Sequence, residues 1–488
     1  MAPVRGAADF ERRESFFPEG GADALTGLAT RESFLAGVAD ILFNADSTEG
    51  YALIYFNLVN FKFYNARCSA ERGDELLCSL ANVLANEFAD DLVARLSYDH
   101  FAVFTSKPSL IDSITHVCRA VEDLDETNQL RLKAGIRRLA EKEDTAPDGL
   151  CDQAKSACDA IKERFGTSYL EYSPELGLAL ERDAYIAANI ERALENGYLN
   201  IYYQPLVRSM TNKVCAFEAL ARWNDPVYGK LMPSVFIPVL EKNHSISLLD
   251  KFVVKRVCED LRARIDAGMP VVPVSFNLSR ADFLYGDVVD GIIDLIKRFD
   301  IPRGYLRVEV TESMFSGDED FIMRQMSSLR SAGFEIWMDD FGAGYSSFEF
   351  LKECHFDAVK LDMQLVRDLN SRSKTILDTV VEMTKALGSK TLSEGAETQS
   401  QVEFLKSIGC EIIQGFYYGR PMPLEQCLEH CAANGFEFET PEDAEAMRKV
   451  ASGLRTKSWT AWAAPGKEPT CTRDGRRRRS SPSSTPAG

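Results

Sequence analysis

From about Glu181 onward the chain alternates short apolar runs with amphipathic stretches, and each run carries a polar residue at or near its end. In order the runs are IYYQPL with Gln204, VCAFEALARW with Glu218 and Arg222, and VPVSFNLS with Asn277. YLRVEVTES follows with Glu309 and Glu312, then FEIWMDDF with Asp339 and Asp340, and FDAVKLD with Lys360. The last two are KTLSEGAET with Glu394 and Glu397, and CEIIQGF with Gln414. Roughly eight strand-like runs spaced by helical patterns predict a (β/α)8 barrel, a fold whose chemistry gathers at the C-terminal ends of its strands. The first two runs are joined by RSMTNK. That connection is too short for a crossover helix, so these strands should pair antiparallel and the barrel should be a variant with one reversed strand.

The N-terminal third follows a different pattern. DALTGLATRESF, Asp23 to Phe34, reads as a turn feeding an amphipathic helix, and YALIYFNL as a buried strand. A helix containing GDELLCSLANVLANEF comes next, then VARLSYDHFAVF, two strand-like runs meeting at the polar turn Ser97 to His100. Strands and helices alternating at this scale make an α/β domain. The expected organisation is a leader over 1–20, this domain over 21–169 and a linker over 170–180. The barrel then covers 181–435, and a charged helix and disordered tail follow over 436–488.

Composition narrows the function classes. The net charge of -18 argues against a general nucleic-acid binder, whose footprint would be basic. The arginines of RDGRRRRSSPSSTPAG belong to a solvated tail on this reading. No run approaches a membrane span, and the N-terminus lacks the apolar core of a signal peptide. The 12 cysteines form no CxxC pair, so they read as small buried apolar residues of a cytoplasmic protein. Cys427, His430 and Cys431 could share a helix face, but no second ligand pair stands near them to complete a zinc site.

The barrel pattern changes the meaning of the polar residues. Asp339 and Asp340 end an apolar run and precede a loop with Gly342 and Gly344. By themselves they are either a helix N-cap or two ligands of a cation, since adjacent carboxylates do not both stay charged without a positive neighbour. A barrel would bring them to one rim with Glu218, Asn277, Glu309 and Glu394, and with Lys360 as the cation. The inventory is nearly all oxygen, which favours Mg2+ or Mn2+ over Zn2+. Metal-assisted phosphoester hydrolysis accounts for such a set.

Two family resemblances then become specific. Glu218-Ala219-Leu220 and the motifs above, over about Glu181 to Cys431, resemble the EAL phosphodiesterases, which hydrolyse cyclic di-GMP to linear pGpG. The resemblance implies two divalent ions. Glu218, Asn277, Glu309 and Asp339 match the ligands of the first; Asp339, Asp340 and Glu394 match those serving the second or its water. Lys360 matches the lysine beside that water. Gln204, Arg222 and Gln414 match groups placed near the substrate or catalytic centre, and Glu397 a supporting carboxylate. The loop after Asp340 matches the family's mobile loop, Glu312 its anchor, and a homodimer through the barrel is implied. A non-hydrolysing cyclic di-GMP receptor is the alternative within the same resemblance.

DALTGLATRESF, FNLVNFKFYN, GDELL and ARLSYDHFAVF resemble, in order and spacing, the GGDEF domains of diguanylate cyclases. The aligned signature is Ser97-Tyr98-Asp99-His100-Phe101 and is degenerate, because Arg72-Gly73-Asp74-Glu75-Leu76 opens a helix and the signature belongs in a hairpin turn. Side chains at Ser97 and Tyr98 replace two glycines that admit a triphosphate. Asn57 replaces the first metal-binding aspartate, and an RxxD inhibition motif would start at Phe88, where its arginine is missing. Asn65 and Asp74 match positions that hydrogen-bond guanine. These two leave open a regulatory GTP site or a scaffold that merely kept two polar residues.

Overall fold

The computed structural model describes residues 21–447 and 449, apart from 125–129, 143, 286–287, 303, 312–313, 315–318, 343–350 and 353. The chain divides into two compact units, Met1–Tyr185 and Ile186–Gly488.

The first unit is built on a sheet of β1 (Ala52–Val59), β2 (Leu92–Ser97), β3 (His100–Thr105), β4 (Arg131–Arg138) and β5 (Tyr169–Glu171), in the order β2-β3-β1-β4-β5. Seven of the eight residues of β1 are buried, as a central strand covered on both faces requires. Its side chains alternate between two cores: Ile54, Phe56 and Leu58 pack into one, Leu53 and Tyr55 into the other. Residues 170–180 are structured, holding most of β5 and the start of helix Pro174–Glu195.

β2 and β3 form the expected hairpin, with Tyr98 and Asp99 between them. Tyr98 has φ 35°, a conformation that glycine adopts freely and a tyrosine does not. The turn is held from below: the Arg95 guanidinium donates to the Tyr98 carbonyl at 2.9 and 2.8 Å and to Asp23 at 3.1 Å. Asn57 is buried and sits opposite His100 in the ladder. Arg72–Leu76 lies inside helix Ala70–Glu87, so the tempting second match to the signature is helical.

The second unit is a closed barrel of β6 (Leu199–Arg208), β7 (Val214–Asp225), β9 (Val274–Asn277), β10 (Leu306–Thr311), β11 (Glu335–Phe341), β12 (Ala358–Leu361), β13 (Lys390–Ser393) and β14 (Ile412–Gln414). β6 runs antiparallel to both neighbours, β7 and β14, and every other barrel pairing is parallel. The reversed strand follows from the short β6–β7 connection. β7 outruns the barrel and pairs with the short β8 (Gly229–Leu231). Leu206, Ala216, Trp337, Ala358, Leu392 and Ile412 fill the barrel's interior, while a larger core lies between strands and helices.

The segment after helix Leu424–Ala433 docks on this unit. Glu439 accepts two hydrogen bonds from the buried Arg208 guanidinium at 2.9 and 2.8 Å, and Phe438 bridges to Val214. Residues 441–447 are helical. Among the described residues no helix is long and apolar enough to cross a membrane.

Candidate active site

The barrel brings its polar residues to one rim by the parallel register of its strands. Asn277 pairs with Glu309 across β9 and β10, and Asp339 with Thr311 across β10 and β11. Glu218 departs from the expected strand-end pattern: it lies inside β7, opposite Gln204 of β6, because β7 continues past the rim into the β8 hairpin.

Lys360 is 1% exposed and forms the centre of the cluster. Its ammonium lies 2.6 Å from Glu394 Oε1, 3.1 Å from Asp339 Oδ1 and 3.4 Å from Glu218 Oε1, and it also donates to Glu309 Oε2. One cation among four carboxylates leaves excess negative charge in a buried place. Burial alone would lower the Lys360 pKa, but the carboxylates of Asp339, Glu218, Glu309 and Glu394 hold it well above the usual lysine range. Burial pushes Glu309 well above the carboxylate range, with Glu218 and Asp339 adding to the effect against Lys360. Glu394 is pushed up to about 8, by burial first and then by Asp339 and Glu218, again against Lys360.

Asp340 sits at a local irregularity next to the site. Side chains at consecutive strand positions point to opposite faces, so Asp339 and Asp340 would normally diverge. Here the β11–β12 register shifts between Met338 and Phe341, and Asp340 takes φ 56°. Its N–H donates to Asp339 Oδ1 at 2.9 Å. The residue as a whole is exposed, yet desolvation of its carboxyl and the Asp339 charge push it to about 6, against Lys360. A non-glycine residue in this conformation at a bulge is the kind of strain that collects at functional sites.

Gln204 and Gln414 do not line an open surface; both are buried against Glu218. Gln414 Nε2 donates to Glu218 Oε2 and, at 2.9 Å, to Gln204 Oε1, and Gln204 Nε2 donates to the Gly419 carbonyl at 3.0 Å. The chain of amides fixes the Glu218 carboxylate. Asn277 Nδ2 donates to the other oxygen of Glu218 at 3.4 Å. Arg222 is half-buried, donates to the Ala221 carbonyl at 2.8 Å and lies over the Tyr202 ring. Glu397 is exposed, just before the N-cap Thr398 of helix Gln399–Ser407, away from these contacts. Glu312 and residues 343–350 of the loop after Asp340 lie outside the described residues.

The donor set fits a divalent cation. Glu218, Glu309 and Asp339 are buried and each brings one oxygen to within 4.8 Å of the others. Glu309 Oε1 is buried without a hydrogen-bond partner among the described residues, an acceptor that a cation would satisfy. Cys427 and Cys431 are both fully buried on helix Leu424–Ala433, and the described residues offer no metal-binding group around them. Sequence reasoning missed the second role of the glutamines, since no spacing rule reports that Gln414 and Glu218, far apart in the chain, meet across β6.

A family model described as "Diguanylate cyclase, GGDEF domain" matches residues 21–167, and one described as "EAL domain" matches 187–421. The chain belongs to the proteins that join a GGDEF domain to an EAL domain. It is 30% identical over 391 residues to the bifunctional diguanylate cyclase/cyclic di-GMP phosphodiesterase MucR of Pseudomonas aeruginosa, covering 78% of this chain and 57% of MucR. It is 28% identical over 437 residues to the cyclic di-GMP phosphodiesterase NbdA of the same organism, covering 86% of this chain and 55% of NbdA. The chain thus spans little more than half the length of these curated relatives. A solved structure of Vibrio cholerae LapD (S helix-GGDEF-EAL, bound to c-di-GMP) shares the fold, with a TM-score of 0.50, 19% identity, and coverage of 84% of this chain and 98% of that one.

Removing the amide that fixes Glu218 tests the site's geometry directly. Gln414→Leu should raise the Mn2+ concentration needed for half-maximal binding by about 10–100-fold, the usual penalty for losing the support of a ligand, with Glu218 as the candidate ligand. Unchanged Mn2+ binding by calorimetry would contradict this role.

Proposed function

We propose that this chain hydrolyses cyclic di-GMP to linear pGpG in a reaction that depends on two divalent cations, Mg2+ or Mn2+. The observation that carries the reading is the buried cage of Glu218, Glu309 and Asp339 around Lys360, with the unsatisfied Glu309 Oε1 inside it. The similarity to MucR and NbdA supports cyclic di-GMP as the substrate.

In this reading Glu218, Asn277, Glu309 and Asp339 hold one ion, and Asp339, Asp340 and Glu394 serve the other. Bound there, the ions would supply Lewis-acid polarisation of the phosphodiester and a nucleophile at neutral pH. Lys360 keeps a fixed positive charge beside the carboxylates and stabilises charge that develops on the phosphoryl oxygens. Arg222, at the outer end of β7, is the cation available to orient a substrate phosphate. Gln204 and Gln414 preset Glu218, and Glu397 supports from the periphery. The test is turnover: purified protein with Mg2+ should convert cyclic di-GMP to pGpG. Tight binding without product would establish a receptor instead.

The N-terminal domain is proposed as a regulator without cyclase activity. Tyr98 occupies the turn in a glycine-like conformation, and the residue opposite His100 in the ladder is the neutral Asn57. A GTP site remains at Asn65 and Asp74. Asn65 Oδ1 is buried without a partner among the described residues, and it sits where a Cβ on Gly73 would fall, so only glycine permits the approach. GTP is expected to lower KM or raise turnover, and Asp74→Ala to erase that effect; no GTP binding at millimolar concentration would sink the idea. A homodimer through the barrel and a cytoplasmic location complete the proposal.

A further inference from the structure

The barrel strands do not all reach the end opposite the cage. β9 pairs with β7 only at Phe217 and Glu218, so below Phe217 the strand β7 has no barrel neighbour on that side among the described residues. A later part of the chain, 437–443, takes the place of β9 there. Phe438 pairs with Val214 in a parallel bridge, the direction that β9 itself has. The Val214 N–H donates to the Glu437 carbonyl and the Glu439 N–H to the Val214 carbonyl, both at 2.8 Å. The Phe438 ring meets Phe217 edge to face, with centroids 6.0 Å apart.

The same segment grips β6. Arg208 ends that strand, and its side chain and that of Glu439 are almost fully buried in a two-point ion pair at 2.9 and 2.8 Å. Lys213, in the turn between β6 and β7, reaches Asp443 at 2.8 Å and Glu437 at 3.7 Å. All these contacts lie just below an irregularity in the β6–β7 pair. Leu206 faces Ala216, but the next residue, Val207, faces Val214, which leaves Cys215 as the extra residue of a bulge. Cys215 and Ala216, neighbours in the chain, accordingly both pack into the barrel's interior. Two positions above the bulge, Gln204 faces Glu218.

We infer that segment 437–443 is a register clamp for the β6–β7 pair, and that Arg208 and Glu439 are thereby positioning residues for Glu218. The place of the bulge decides which way Glu218 points. Were the extra residue to move above Glu218, residues 216–218 would each turn to the opposite face, Phe217 into the barrel and Glu218 out of it. From above, β9 and the Gln414 amide hold Phe217 and Glu218. From below, the segment holds Val214 on one strand and Arg208 on the other, so the bulge is trapped at Cys215. A buried ion pair suits this task, because a slip that parts the two leaves each charge uncompensated.

The role toward Glu218 rests on the proposed reading of the cage as a metal site, and the test separates the two. Cys215, 1% exposed, reports on the bulge, and the fully buried Cys258 of helix Ile246–Asp266 reports on the rest of the unit. Alkylation of each thiol by iodoacetamide is followed by mass spectrometry in the folded full chain. Mn2+ binding without substrate is followed by electron paramagnetic resonance of the free ion. In Glu439→Ala, Cys215 should react about tenfold faster while Cys258 stays within about twofold of wild type. Mn2+ should bind about tenfold more weakly. The clamp is overturned if both thiols gain reactivity together, which is general loosening, or if neither does. A gain at Cys215 alone with unchanged Mn2+ binding overturns the positioning of Glu218. Should Glu439→Ala not fold, Glu439→Gln, which keeps one oxygen acceptor for Arg208, is judged by the same readings. Absence of Mn2+ binding by the wild-type protein overturns the cage reading and the role toward Glu218 with it, while the two thiols still decide the clamp.

Discussion

Glu218→Ala is expected to abolish hydrolysis of cyclic di-GMP while leaving the barrel folded. Glu218 contacts Lys360, Asn277 and Gln414, so its carboxylate joins β7, β9, β12 and β14 across the barrel mouth. Losing it removes one of the three buried oxygens placed to hold a cation. A metal ion contributes several kcal/mol of transition-state stabilisation, so the loss in kcat/KM should be about a thousandfold or more. The fold should survive because the change also removes a buried negative charge from a cluster with an excess of them. Circular dichroism and thermal melting check the fold, and a turnover assay checks the chemistry. Full activity in a folded variant would overturn the assignment of Glu218.

Lys360→Ala should damage both activity and stability, and the two effects should separate on addition of metal. In the cluster Lys360 is the cation facing Glu218, Glu309, Asp339 and Glu394, and it is almost fully buried. Removing one side of a buried charge cluster leaves the remaining charges uncompensated, at a cost of about 3–5 kcal/mol. A divalent ion that binds the folded cage restores that stability by mass action. Tm should therefore fall in the absence of metal and recover as Mn2+ is added, by a larger increment than in the wild-type protein. Activity should stay low even at saturating Mn2+, because the fixed charge proposed to stabilise the reacting phosphate is gone. A Tm that does not respond to Mn2+ in this variant would argue against a cation in the cage.

The GGDEF portion shows how one degenerate motif can be read from order alone. Its four stretches fall in sequence on the first helix, β1, the helix that contains Asp74, and the β2–β3 hairpin. Order placed the turn within Ser97–His100 and excluded Arg72–Leu76; the structure puts Tyr98 and Asp99 between β2 and β3 and Arg72–Leu76 in a helix. What order could not show is that Arg95 grips the Tyr98 carbonyl, or that the Asn65 amide oxygen beside Gly73 has no partner among the described residues.

In the barrel, the amino-acid order by itself determined the strand count, the reversed first strand and the identity of the rim acids. These are local matters: a period-two or buried apolar run marks a strand, and a six-residue connection forbids a crossover helix. It placed Asp339 and Asp340 side by side at the end of one strand. Only the tertiary structure shows the register shift beside them and the positive φ at Asp340. The tertiary structure also decided that Lys360 is the centre of the cage and that Gln414 and Gln204 brace Glu218. Each of these depends on side chains brought together from distant parts of the chain. Hydrophobic periodicity encodes which face a residue takes, whereas the distance between two polar atoms is set only when the barrel closes.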